Sequence, residues 1–229
     1  MGAALALGGW ICARLDLAAD RTAGLVLLGT VIAVGVAGQL ALGGAGLVDL
    51  VVADERGEKV PRAAVTGAVR RGQAIATGVV WAACLGAGAA CWTLLATGGP
   101  GSGRQGVAGW IAPALGGLGG LIFLLRSRMF SRARQVGPML AVGVLAAVGT
   151  TVQAPRWLQV DGQAATVTLG LLALVGAVVA AAGFTTVSDV PRARMRRTWE
   201  WLETLALLAL IPGLILLFDA IGAVKRWIG

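Results

Sequence analysis

Six stretches of this chain run without a charged residue: 22–47, 72–103, 105–125, 135–155, 162–188 and 204–218. A helix needs about 20 mostly apolar residues to cross a hydrocarbon core about 30 Å thick. The last run, bounded by Glu203 and Asp219, is read as extending past both, over about 201–224. None of the runs alternates in polarity over about ten residues, as a barrel strand would. A helix also satisfies its own backbone hydrogen bonds in lipid, so helix is the reading throughout. The expected fold is all-α: one polytopic membrane domain over residues 1–229. Its six full spans fall at about 22–47, 72–97, 105–125, 135–154, 163–187 and 201–224. The stretch 48–71 connects the first two spans, and 1–13 is a partial helix.

Composition closes off the other classes. Only 13% of residues are charged, about half of what a soluble domain carries. With 57% hydrophobic residues the chain is not disordered either. It has no His and no Tyr, which removes every His-based catalytic dyad or triad and every His-containing metal site. Three cysteines, Cys12, Cys84 and Cys91, make neither a four-thiolate zinc site nor an even disulfide framework. No cofactor is expected. Residues 1–13 do not read as a secretory signal, because Arg14 follows the apolar stretch instead of preceding it. Ala6 stands where a myristoylation motif has Ser or Thr. The stretch is read as the tail of a helix whose beginning is missing.

The basic residues sort by connection. Thirteen of nineteen lie in alternate connections: Arg56, Lys59, Arg62, Arg70 and Arg71; Arg126, Arg128, Arg132 and Arg134; Arg192, Arg194, Arg196 and Arg197. The other connections and the C-terminal tail hold Arg14, Arg21, Arg104, Arg156, Lys225 and Arg226. The positive-inside rule places the thirteen in the cytoplasm and the C-terminus outside. A bacterial plasma membrane is the expected location. Pro61 suits the start of a helix, and from Arg62 the chain can run as one helix through Arg70 and Arg71 into the second span. That basic stretch suits anionic lipid or a docking partner alike. The same two roles are assigned to the arginines of the other two cytoplasmic connections. Nucleic-acid binding is not expected, since the cations follow membrane orientation.

Motifs with chemistry are few. Gly98-Gly-Pro-Gly-Ser-Gly-Arg104 lacks the Gly-Lys-Ser/Thr ending of a phosphate loop and is read as a turn. Ala112, Gly116 and Gly120 recur every four residues, making a flat face that lets another helix approach closely. Ala82/Gly86 and Gly176/Ala180 repeat the spacing. Glu200 and Glu203 are placed at the start of the last helix, where they complement its dipole. No charge falls at the middle of a run, so no proton relay is visible. Gln39, well inside a run, is assigned an interhelical hydrogen bond. Trp110, Trp157, Trp199, Trp201 and Trp227 fall where interfacial belts are expected, and Cys84 and Cys91 are taken as packing residues.

Several stretches, in order, resemble the membrane domain of EccD, the many-helix subunit of actinobacterial type VII (ESX) secretion systems. They are Leu42-Gly-Gly-Ala-Gly-Leu47 with the acidic loop after it, Val65-x-x-Ala-Val-Arg-Arg-Gly-Gln-Ala-x-x-x-Gly78, and Leu124-Leu-Arg-Ser-Arg-Met-Phe-Ser-Arg-Ala-Arg-Gln135. The last is Arg196-Arg-Thr-Trp-Glu-Trp-Leu-Glu203, leading to Ile211-Pro-Gly213 and Asp219-Ala-Ile-Gly-Ala-Val-Lys-Arg226. The resemblance covers most of 23–229. It implies a cytoplasmic ubiquitin-like domain followed by eleven helices, of which the six spans here are the sixth to eleventh. Neither that domain nor the first four helices is present, so the chain is read as a fragment or as part of a longer numbering. The implied function is structural: a scaffold that pairs with copies of itself and packs with EccB, the EccC ATPase and EccE, without catalytic residues. The alternative is half of a secondary small-molecule transporter, although Pro113, Pro138 and Pro212 do not pair into a clear repeat. A membrane enzyme ranks last.

Overall fold

The computed structural model describes residues 18–46, 52, 55–56, 61–99, 107–130, 133–158 and 189–218. Among them every regular element is helical: α1 (Ala19–Gly44), α2 (Arg62–Thr97), α3 (Val107–Arg126), a 3₁₀ turn (Ser127–Met129), α4 (Ala133–Leu158) and α5 (Asp189–Leu217). Four helical stretches are long and apolar enough to cross a membrane: Ala19–Gly44, Arg62–Thr97, Gly109–Arg126 and Arg134–Trp157. Trp201–Leu217 is a shorter apolar helix. This is a polytopic all-α membrane protein. The expected span at 163–187, the partial helix at 1–13 and residues 219–224 lie outside the described residues.

Local chemistry sets the helix ends. α1 begins before its uncharged run, with Asp20 buried in the first turn, where a carboxylate meets the positive end of the helix dipole. It stops at Gly44. The Ala45 N–H bonds back to Ala41 O, and Gly46 takes φ +68°, a left-handed turn that glycine makes without a Cβ clash. α2 is one helix of 36 residues, about 54 Å long. Pro61 caps it at φ −68° and ψ 135°, just outside the helix instead of as its first residue. A rod of that length exceeds a core of about 30 Å by many residues.

Polar groups inside the apolar helices are mostly satisfied locally. Thr93, Thr150 and Thr151 each donate to the carbonyl four residues back at 2.8 Å, which hides a hydroxyl from lipid without any partner helix.

α3 is the hub: it touches each of the other four helices. Its glycines and Leu115 meet them on different sides. A Cβ on Gly116 would lie 3.1 Å from the Cys91 carbonyl and 3.0 Å from Leu95 of α2. A Cβ on Gly119 would lie 2.8 Å from Leu27 of α1. The face at Gly120 lies against Ala146 and Gly143 of α4, and Leu115 fills the space beside Gly213 of α5. The core around it comprises Leu27, Cys91, Leu94, Ile122, Phe123, Met139 and Leu210, all buried.

The contacts define two ends. At the arginine end, Gly44 of α1 lies beside Ile75 of α2, and Gln135 of α4 donates to Thr77 Oγ1 at 3.2 Å. The tryptophan end holds Trp110, Trp157 and Gly98, with Arg21 5.8 Å from the Phe218 ring.

Candidate functional site

The most chemically distinctive place in the bundle is an ion pair between the end of α3 and the middle of α5, 77 residues apart in sequence. Arg126, the last residue of α3, donates from Nε to Glu203 Oε1 of α5 at 3.0 Å. Its Nη1 donates to the Val31 carbonyl of α1. The guanidinium also lies against Gly35, where a Cβ would sit 3.4 Å from Nη2. The two side chains are 15% and 11% exposed. One planar cation thus ties three helices, using its fork of donors as a lysine could not.

This geometry corrects two sequence readings. Arg126 is turned into the bundle and not outward to lipid or a partner. Glu203 lies half-way along α5 (Asp189–Leu217), too far from its first turn to complement the dipole. Both ends of the pair fall at the boundaries of their own apolar runs, yet they meet the middle turns of α1, Val31 and Gly35. The pair is largely buried among the helices, while each residue keeps its place at the end of its own apolar stretch. Sequence spacing missed it because neither residue is central in its own run.

The other arginines of that end divide. Arg62, Arg70, Arg71, Arg128 and Arg134 are exposed. Arg192, Arg194, Arg196 and Arg197 lie on the first half of α5, and Arg132 falls outside the described residues. Arg21 and Arg156 belong to the opposite end, where Arg156 Nη1 donates to Gln153 Oε1 at 3.2 Å.

Ala112, Gly116 and Gly120 are all buried, with Gly116 against α2 and Gly120 against α4 as described above. On α2, Ala82 and Gly86 are half-buried, and the residues that follow them, Ala83 and Ala87, are buried. A second small face escaped the sequence reading. Ala37, Ala41 and Ala45 of the α1 end are buried, and a Cβ on Gly72 of α2 would lie 3.2 Å from both Ala41 O and Ala45 Cβ. Its signal was present, since these alanines also recur every four residues.

Amides and indoles need correction too. Gln39 is exposed on α1, whereas Gln135 makes an interhelical hydrogen bond through its amide. Trp157 is 9% exposed and turned inward, donating from Nε1 to Gly98 O at 3.1 Å. It stacks edge-on against Trp110 with centroids 6.1 Å apart. Gly99, at φ +121°, lies directly beneath the Trp157 ring and donates to Gly109 O at 2.9 Å. Trp110 and Trp201 are exposed as belt residues would be. The side chain of Trp199 and all of Trp227 fall outside the described residues.

Chemically, this arrangement binds helices together. Among the described residues no three His, Cys, Asp or Glu side chains gather as a metal site, and Glu203 faces an arginine.

The comparisons with known proteins agree with this architecture. Nine chains of solved structures match. One, described as protomer 1 of the ESX-3 core complex, shares 23% identity over 95% of this chain and 48% of its own, with a TM-score of 0.65. That likeness speaks for the fold, and the chain spans about half the length of that protein. No curated protein matches in sequence. The model of the EccD-like transmembrane domain matches residues 1–227, and the chain therefore belongs to the EccD-like transmembrane domain family.

Proposed function

We propose that the chain is a structural integral-membrane component of a type VII protein secretion complex, scaffolding the export assembly in the bacterial plasma membrane. The family match over residues 1–227 carries this reading. The packing is in keeping with it: small residues and a largely buried ion pair join helices and present no nucleophile–base pair among the described residues. In this reading the chain is not an enzyme. Its partners are membrane lipids, further copies of itself and the EccB, EccC and EccE subunits.

Orientation is part of the proposal. The exposed arginines Arg62, Arg70, Arg71, Arg128 and Arg134 gather at one end of the bundle, and that end faces the cytoplasm by the positive-inside rule. The C-terminus then lies outside. Single cysteines at Arg128 and Arg104, in a background with Cys12, Cys84 and Cys91 replaced, test it in intact cells. An impermeant thiol reagent is expected to modify only the one at Arg104; equal labelling overturns the orientation.

Extraction in mild detergent followed by native-size analysis tests the assembly. Co-migration with the ATPase subunit well above the 23.1 kDa of the chain is expected; a monomer without it contradicts the proposal. A second reading, half of a small-molecule transporter, gains one observation, because intramembrane carboxylates usually mark ion or substrate paths. The carboxylate of Glu203 is engaged by Arg126, however, which favours a structural role.

A further inference from the structure

On the side of α2 and α4 turned away from α3's glycines runs an open trough of about 580 Å³. Small residues form its floor, Gly88 on α2 and Gly137 and Ala141 on α4, while Trp81 and Leu145 border it. The lining is almost wholly apolar except at one end, where Arg134 stands exposed. Among the described residues no acidic side chain pairs with Arg134.

From Arg134 to Leu145 the trough follows α4 for about 16 Å at 1.5 Å per residue. That is close to half of a hydrocarbon core about 30 Å thick, the depth of one leaflet. Trp81 borders the trough, exposed, its indole suited to the headgroup boundary. A guanidinium at the mouth of an apolar channel one leaflet deep complements an amphiphile with an anionic head. We infer that the α2–α4 trough holds one acyl chain of an anionic phospholipid, with its phosphate on Arg134. A helix about 10–12 Å across is too wide to settle between α2 and α4. The two helices stay close at both ends of the channel, where Gln135 meets Thr77 and Leu145 meets Gly88. A packed helix would also have to bring its own carboxylate for Arg134. The inference needs only that Arg134 lie near a headgroup layer, whichever side of the membrane that is, and so stands apart from the orientation proposed above.

Native mass spectrometry of the full chain, with phosphatidylglycerol and phosphatidylcholine of identical acyl chains, tests it. Phosphatidylglycerol is expected to be retained about five-fold better, the factor one basic residue contributes at an anionic surface. Arg134→Ala should bring the two lipids to parity, and Arg134→Lys should keep most of the preference. Ala141→Phe, which fills the floor, should lose both lipids alike. A photoreactive residue at position 141 should cross-link to lipid. Parity in the unmodified chain, an unchanged preference in Arg134→Ala, or cross-linking at 141 to another segment or a second copy instead of lipid would each overturn the inference.

Discussion

At the arginine end, α5 is held to α1 and α3 by one ion pair, whereas at the tryptophan end α2, α3 and α4 are joined by glycines and an indole. The ion pair concentrates its effect in two side chains. Each depends largely on the other, because a lone buried charge has little to replace water and Arg126 would keep, among the described residues, only the Val31 carbonyl. The tryptophan end spreads its effect over many small dispersion contacts, one neutral hydrogen bond and a turn at Gly99. Removing one part of the first should therefore be far more damaging than removing one part of the second. Replacing both charges together should nevertheless cost little.

The largest effect expected is at the charges. Glu203→Ala leaves Arg126 buried without its carboxylate and should lower stability by about 3–5 kcal/mol, read from reversible unfolding in mixed micelles. Raising the salt concentration should change the native protein's stability little, since a buried pair is weakly screened. A loss below about 1 kcal/mol for Glu203→Ala would place the pair in water.

Next come the close approaches. Gly120→Ala puts a methyl onto Ala146 and should cost about 1–3 kcal/mol by overpacking. Gly38→Ala, with nothing within 4 Å, should be neutral or slightly stabilising, because alanine is the better helix former. Equal effects of the two would mean that α3 and α4 are not in the contact described.

The smallest effect is expected at the indole. Trp157→Phe keeps an aromatic ring over Gly99 but loses the donor to Gly98 O, which should cost about 0.5–1.5 kcal/mol. A loss as large as that of Glu203→Ala would erase the contrast between the two ends.

How much of this was legible depends on whether a feature is local. Helices follow from uncharged runs, because a span must satisfy its backbone alone. The absence of His likewise bears on chemistry without any fold. Spacing marks a small face such as Ala112, Gly116 and Gly120, but it does not say which helix meets it. The Ala37, Ala41 and Ala45 face was passed over for the same reason, since in a chain so rich in alanine and glycine the spacing alone carries little information. The ion pair was illegible for a stronger reason. Arg126 and Glu203 each close an apolar run, where charges are expected to reach water. Only the packing of the helices, which brings Glu203 and the Val31 carbonyl of α1 within reach of one guanidinium, turns them inward. Trp157 was misread likewise, because interfacial position in sequence does not decide which way a ring points.

The central claim is that the buried charges act by holding helices and not by moving protons or ions. The double variant Arg126→Met with Glu203→Leu removes both charges and keeps comparable volume, so complex assembly and export should stay near the native level while Glu203→Ala alone impairs both. Full assembly with export abolished in the double variant would contradict the account and make Glu203 part of a transport path.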